Sequence, residues 1–220
     1  MTASDTEPTT PASTDTTVEE TALPLNVHNI DPDGDLLLDV QPDDEGRWRY
    51  RVCSATLRRH SPVWKTMLFG PWKESKPATE GEWVVELPED PPYEMQTILY
   101  IIHGLVDKVP EALSGDSVFR LLILLNKYDM TRIVKPWCAK WMVPAEQSIW
   151  CPVTKSLYIA WELGNESLFT LRLTDIALNT QMVGNVLVFK RWTLSSLPFA
   201  TEGFKLEDEE YLGPSDILGM

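Results

Sequence analysis

The chain contains 220 residues, of which 43% are hydrophobic and 10% aromatic, and it carries a formal net charge of −14 at pH 7. This apolar content can build a core, so the composition excludes a wholly disordered chain. No apolar run approaches the ~18 residues of a membrane-spanning helix, and the first residues lack the basic and apolar regions of a secretory signal. Cys53, Cys138 and Cys151 form no CxxC pair, which favours a reducing intracellular compartment, cytoplasm or nucleus.

The negative charge is concentrated at the two ends of the chain. The first 46 residues contain 12 Asp or Glu and no Lys or Arg, and residues 201–220 contain six acids and one Lys. Acidic ends repel phosphate, so the sequence predicts no direct binding to nucleic acid. Residues 201–220 are interpreted as a solvated acidic tail. Because they also carry large apolar residues, the alternative is a short linear motif that folds onto a basic groove.

The first predicted elements are a tail and a hairpin. Residues 1–28 are rich in Thr, Ser, Pro and acids, so they are predicted to be disordered. Residues 36–40 form a short apolar strand, and RWRYRV at 47–52 alternates as a half-buried strand does, so the two make a hairpin. The arginine face of the second strand is either an anion site or, more in keeping with such sheets, a solvent-exposed face paired with the acids at 43–45.

Two short helices and a third strand follow. Ser54 is predicted to cap the first helix and Ser61 the second, with Pro62 at a position that tolerates a missing N–H. The second helix has one apolar face and ends at Gly70. That face consists of Val63, Trp64, Met67 and Leu68. Residues 83–87 form the third strand.

The rest of the chain is predicted to be mainly helical. Apolar spacing predicts helices after Pro92 and after Ser114, and a Trp-rich helix over 135–143 that ends before Pro144. Two more helices, 156–163 and 166–179, are separated by a turn at Gly164 and Asn165. In the second of these, Phe169, Leu173, Ile176 and Ala177 are expected to pack on the helices before residue 144; the alternative is a free helix that binds a partner. Residues 186–189 are strand-like but have no assigned partner.

This order of elements, and the amino-acid sequence of several segments, resembles the BTB/POZ domain in its fungal-type branch. The segments that carry the resemblance are Gly34-Asp35-Leu36, RYRVCSATL at 49–57, SPVWKTM at 61–67, VELPEDP at 85–91, ILYIIHG at 98–104, NKYDM at 126–130 and YIAWELG at 158–164. Many members of the family have a histidine after the second strand, where this chain has Cys53.

The resemblance implies an α+β fold, in which a small three-stranded sheet is flanked by a cluster of helices and followed by a C-terminal helical extension. The implied divisions are a disordered tail (1–28), the BTB/POZ domain (31–143), the helical extension (144–200) and an acidic tail (201–220). The family binds other proteins and commonly dimerises around its first helix. The implied dimer surface comprises Ser54, Leu57, Trp64 and Met67. Many family dimers exchange an N-terminal strand, but the breakers Pro24, Pro32 and Gly34 predict no well-formed strand before Asp35 here.

A second implied function is that of substrate adaptor for a cullin-RING ubiquitin ligase. Adaptor members dock the cullin through an apolar-x-Glu motif before the third strand, which Trp72 and Glu74 resemble. The alternative is that residues 72–76 are an ordinary loop. An adaptor also needs a domain that recruits substrate, and residues 1–220 show no recognisable MATH, Kelch or zinc-finger pattern.

No motif indicates catalysis. The chain has no phosphate-binding GxxxxGK[ST] loop, no GxSxG elbow, no HExxH and no Cys or His pair at zinc spacing, and His28, His60 and His103 lie far apart. The sequence therefore predicts a non-enzymatic protein without a cofactor or metal, whose partners are proteins, itself included.

Overall fold

The computed structural model describes residues 26–40, 48–78, 81–147, 153–184, 186–190 and 203–205. Its class is α+β. The first sheet contains four strands, Asn26–Asn29 (β1), Leu36–Val40 (β2), Trp48–Val52 (β3) and Val84–Leu87 (β4), in the order β1-β3-β2-β4. β2 and β3 are antiparallel, whereas β1 runs parallel to β3 and β4 parallel to β2. The predicted hairpin is therefore confirmed.

Alternation along the strands separates the two faces of this sheet. On the inner face, Leu36, Leu38 and Val40 lie opposite Val52, Tyr50 and Trp48. On the outer face Arg49 donates to the Asp39 carboxylate across the pair at 2.9 Å. Arg51 lies 3.9 Å from Glu82. These arginines are thus paired with acids other than those at 43–45, which lie outside the described residues.

The prediction that no strand forms before Asp35 is wrong. β1 pairs residue by residue with β3, from Asn26 opposite Trp48 to Asn29 opposite Arg51. The reason is local: the four residues of β1 contain no Pro or Gly, and the breakers lie on either side of it. Residues 26–28 consequently belong to the sheet and not to the disordered tail assigned to 1–28, of which residues 1–25 lie outside the described part.

Helices cover the inner face of the sheet. Their bounds are Ser54–His60 (α1), Pro62–Phe69 (α2), Pro92–Ile102 (α3), Gly115–Lys127 (α4), Cys138–Gln147 (α5), Val153–Glu162 (α6) and Glu166–Asn179 (α7), with short 3-10 helices at Val106–Lys108 and Thr131–Trp137. One cluster of buried side chains joins the sheet to α1, α2, α3, α4 and α6; Leu57, Trp64, Met95 and Leu121 are among its members. Burial on this scale is the main source of the fold's stability.

The predicted ends of the Trp-rich helix are wrong at both sides. Residues 131–137 form a 3-10 helix, and α5 begins only at Cys138 and continues through Pro144 to Gln147. A proline inside a helix removes one backbone hydrogen bond, which favours an end at the preceding residue. Here the surrounding turns continue the helix despite that loss.

The C-terminal part forms a second, smaller sheet. Thr180–Val183 (β5), Val186–Lys190 (β6) and Gly203–Lys205 (β7) are antiparallel in the order β5-β6-β7, so the predicted strand at 186–189 is confirmed and has partners on both sides. Residues 203–205 thus lie in a strand within the segment interpreted as an acidic tail.

The expected packing of α7 is corrected as well. Ile176 joins Val153, Leu157 and Phe189 in a second buried cluster, with Phe169 and Leu173 packed against it. Ala177 is exposed. α7 therefore packs on α6 and β6, because α6 lies between it and α4.

Candidate protein-binding surface

α1 begins directly after β3, and a carboxylate from another segment caps it. Asp35 accepts hydrogen bonds from the backbone N–H and the hydroxyl of Ser54, both at 2.8 Å. Burial raises the pKa of Asp35, but these bonds and Lys76 outweigh it, so the pKa lies below its usual value. Ser54 therefore begins α1 as a donor to Asp35, and the prediction that its own side chain caps the helix is wrong. A Cβ at Gly34 would lie 2.5 Å from the Val52 carbonyl oxygen, so only glycine lets this segment approach β3.

Ser61 caps α2, as predicted, and also fixes it to α4. Its Oγ accepts from the Trp64 N–H at 3.0 Å and donates to the Tyr128 carbonyl at 2.6 Å. The Trp64 and Tyr128 rings stack with centroids 4.4 Å apart. The start of α2 is thus held against the end of α4 by a buried hydroxyl and a buried ring pair.

Replacing Ser61 with alanine is expected to lower the free energy of unfolding by about 2 kcal/mol, since the helix cap and the buried bond to Tyr128 are lost together. Urea unfolding followed by circular dichroism measures the change. Ser114→Ala is the matched control: Ser114 caps α4 through the Ser117 N–H at 3.1 Å but is exposed, so we expect a loss of about 1 kcal/mol. Equal losses for the two variants would contradict the second role of Ser61.

A buried acid anchors the same end of α4 to the turn before α3. Asp90 accepts from the Lys127 ammonium at 2.6 Å and from the Tyr128 hydroxyl. Burial first, and then the charge of Asp90, raise the pKa of Tyr128, so its hydroxyl is a neutral donor at any ordinary pH. This network holds the ring on which Trp64 rests.

His103 joins α1 to the end of α3. Its Nδ1 lies 2.9 Å from the Leu99 carbonyl, and its Nε2 lies 3.2 Å from the backbone nitrogen of Cys53. A carbonyl only accepts and an N–H only donates, so the ring is neutral with its proton on Nδ1. Burial lowers the pKa of His103, against the hydrogen bond to Leu99 and the charge of Asp31.

Stability is therefore expected to fall on acidification. The unfolded chain takes up the His103 proton near the ordinary pKa of 6.5, before the folded chain does. The contribution is fully present above that value and is lost as the pH falls through the lower, folded pKa. Between pH 7.5 and about 5, urea unfolding should show a smaller drop in the free energy of unfolding for His103→Gln than for wild type, because the variant lacks the His103 proton uptake. Some drop remains in the variant, since burial lowers the pKa of His28 in both proteins. An unchanged loss in His103→Gln would contradict this role.

The turn that carries Trp72 and Glu74 is ordered by a serine. The Trp72 N–H donates to the Ser75 hydroxyl at 3.2 Å, and that hydroxyl lies within hydrogen-bond distance of the Met67 and Gly70 carbonyls. The Trp72 side chain is 58% exposed on this turn. Glu74 is partly buried, with its carboxylate 3.9 Å from the Lys73 ammonium. The turn therefore presents the indole to solvent and the acid only in part.

The predicted dimer surface needs correction. Leu57 and Trp64 are fully buried and belong to the main core, and Ser54 is buried against Asp35. Met67 is partly buried. These side chains face inward because α1 and α2 have one apolar face each, and that face is used to cover the sheet. In this conformation only Met67 of the four reaches a surface.

Sequence reasoning missed three exposed residues of α2, which are Val63, Lys65 and Phe69. Val63 and Met67, four residues apart, form one flank of the helix beside its buried face. Lys65 and Phe69, also four apart, form the other flank. Phe69 is 42% exposed, and the Arg58 guanidinium lies 4.9 Å from its ring centre.

The second flank is basic. Between Cys53 and Lys76 the only acid is Glu74, and the basic residues are Arg58, Arg59, Lys65, Lys73 and Lys76. Lys76 lies 3.7 Å from Asp35. Within the described part of the chain, no carboxylate lies within ion-pair distance of the first three of these cations. The excess of basic residues over 53–76 is visible in the sequence, but it disappears when the charge is summed over the whole region between the two acidic ends.

The chain matches no protein-family model and no curated protein. Among the described residues no group of His, Cys, Asp or Glu could hold a metal ion. None of the helices that the structure describes has the length and apolarity to span a bilayer.

Proposed function

We propose that the protein is a non-enzymatic protein-interaction module of the BTB/POZ type that associates with a second copy of itself. The observation that carries the proposal is the exposed side of α1 and α2, which are held rigidly by hydrogen bonds at Asp35, Ser61 and His103. A surface fixed in this way loses little conformational entropy on binding. The strand order β3-β2-β4 followed by helices also supports a BTB/POZ-type architecture.

The contact is assigned to the flank of Val63 and Met67, which is the apolar exposed side of α2. A two-fold contact places this flank against its own copy. Each copy carries a net charge of −14, so self-association should strengthen as salt screens the repulsion between the copies.

Light scattering on the full chain should show a dimer in the micromolar range at physiological salt. Val63→Glu should weaken the dimer about tenfold or more, because it places a charge in an apolar contact. Val106→Glu is the matched control, since Val106 is also exposed, more so than Val63, but lies in the 3-10 helix after α3. A monomer at all concentrations would remove self-association from the proposal.

The second candidate is a substrate adaptor for a cullin-RING ligase, favoured by the exposed indole of Trp72 on an ordered turn. An aromatic side chain held rigidly in solvent is typical of an interface anchor. A pull-down with a cullin N-terminal domain should lose the protein when Trp72→Ala/Glu74→Ala is introduced and keep it in Tyr93→Ala/Glu89→Ala, which changes an exposed aromatic and acid elsewhere. Equal recovery of all three proteins, or no recovery of wild type, would exclude the adaptor function.

A further inference from the structure

The basic strip on the second flank of α2 is chemically unlike the rest of this acidic protein. It comprises Arg58, Lys65, Phe69, Trp72, Lys73 and Lys76. Ring contacts link three of its members through Trp83: Arg58 lies over Phe69, Phe69 meets the edge of Trp83 at 6.1 Å, and Lys76 lies 5.9 Å from the Trp83 ring. The strip therefore offers cations and exposed aromatic rings side by side.

Such a surface fits one kind of ligand. The charges of Arg58 and Lys65 have no carboxylate partner among the described residues. Phe69 and Trp72 keep much of their apolar surface in water. An extended segment with several acids between bulky apolar residues would neutralise the cations and cover the rings at once.

The chain itself contains such a segment after β7. Residues 206–220 read LEDEEYLGPSDILGM: four consecutive acids, Glu207 to Glu210, stand between Leu206 and Tyr211-Leu212. Residues 1–20 carry the same number of acids, five, and no base, but Met1 and Val18 are their only large apolar residues. Charge alone does not decide which of the two segments binds the strip. The exposed rings of the strip favour residues 206–220, because only this segment has several large apolar side chains to cover them.

We propose that residues 206–220 bind the basic strip of their own chain. Fully extended, these 15 residues span roughly 50 Å, which is more than the diameter of a small domain. Tethering raises the effective concentration of the segment to roughly millimolar, so weak contacts suffice. The proposal goes beyond the proposed function and does not depend on it, because the strip and the Val63–Met67 flank lie on opposite sides of the buried face of α2.

Zero-length carbodiimide cross-linking of the full chain tests the placement. This reagent joins carboxylates to lysines in direct contact, so we expect cross-links from Glu207–Glu210 to Lys65 and Lys73. The acids of residues 1–20 serve as the internal control, and Lys108 and Lys140 are exposed lysines elsewhere. An equal mixture of nitrogen-14 and nitrogen-15 chains identifies the source: links confined to single-isotope pairs support binding within one chain. Mixed-isotope links, or equal linkage of both ends to Lys65, would overturn the proposal.

Competition gives an independent measurement. A labelled peptide of residues 206–220 should bind a full chain carrying Glu207→Gln, Asp208→Asn, Glu209→Gln and Glu210→Gln at least about tenfold more tightly than wild type, since the wild-type segment occupies the strip. Neutralising Glu7, Asp15, Glu19 and Glu20 in the same way is the matched control and should leave affinity unchanged.

Two charge reversals locate the site. Added to the neutralised chain, Arg58→Glu/Lys65→Glu should abolish peptide binding, whereas Arg132→Glu/Lys135→Glu, at exposed positions before α5, should preserve it. Unchanged melting temperatures show that all the variants fold. Equal peptide affinity for wild type and the tail-neutral chain would overturn the proposal.

Discussion

Replacing Trp64 with alanine is expected to lower the free energy of unfolding by about 4 kcal/mol, the largest effect of any single truncation in α1 and α2. The Trp64 side chain is fully buried and packs against Tyr128. Alanine leaves a cavity that the neighbouring helix ends cannot close. Ser61 fixes the start of α2 to the Tyr128 carbonyl, and Asp90 fixes the Tyr128 ring through its hydroxyl. A domain is commonly stable by only 5–15 kcal/mol, so the change removes a large part of the total.

Trp64→Phe separates packing from polarity. The indole Nε1 of Trp64 is buried without a hydrogen-bond partner among the described residues. Phenylalanine removes that unsatisfied donor while keeping a ring to stack on Tyr128, so we expect a loss of only about 1 kcal/mol. Trp72→Ala, at an exposed indole, should change stability by less than about 0.5 kcal/mol. Urea unfolding of the three variants measures the series, and similar losses in Trp64→Ala and Trp72→Ala would contradict the burial argument.

The sequence predicts best those elements whose ends depend on neighbouring residues. Ser61 followed by Pro62, Ser114 before α4, and Asn165 before α7 mark helix starts that the structure confirms. In each case a side-chain oxygen accepts an N–H three residues further on, so no distant contact is involved. The antiparallel hairpin of β2 and β3 is predictable for a related reason, since strand alternation is also local.

Contacts between distant segments are what sequence reasoning missed. The cap of α1 comes from Asp35, 19 residues before Ser54. β1 has four unremarkable residues and exists as a strand because the edge of β3 is available to it. Likewise, the sequence predicts the candidate site only as a segment, in which two short helices end at Gly70. Which side chains of this segment leave the core depends on how α1 and α2 lie on the sheet. For that reason the sequence places Leu57 and Trp64 on the surface, although they are buried, and gives no sign that Val63 and Phe69 are exposed.

Burial gives α1 and α2 two properties that serve binding together. The buried face is fixed at three points by partners from other segments, which are Asp35, Tyr128 and His103. The exposed residues are therefore not needed to cover the sheet, and they differ between the two flanks of α2, which is apolar at Val63 and basic at Lys65. A rigid helix pair with two chemically different flanks can hold two ligands without competition for the same atoms, which a mobile loop of the same sequence could not do at equal entropic cost.

Among the described residues, Asp90 is the only carboxylate that accepts from both Lys127 and Tyr128, so its replacement is also expected to have a large effect. Its side chain is 1% exposed, and it accepts from the Lys127 ammonium at 2.6 Å. Asp90→Ala leaves the Tyr128 hydroxyl buried without its acceptor and releases the end of α4, so we expect the free energy of unfolding to fall by about 3 kcal/mol. Asp90→Asn keeps an acceptor oxygen and should lose about half as much.

Asp116 is the matched control for that experiment. It has an ion pair of similar length, 2.5 Å to Lys155, and a second one to Arg120 at 3.2 Å, yet its side chain is 51% exposed. Water replaces the lost contacts there, so Asp116→Ala should lower the free energy of unfolding by less than about 1 kcal/mol. Equal losses at Asp90 and Asp116, measured by urea unfolding at pH 7, would show that ion-pair distance and not burial decides the contribution. That result would mean that Asp90 does not fix the Tyr128 ring, and the ring would then not be a rigid wall for the packing of Trp64.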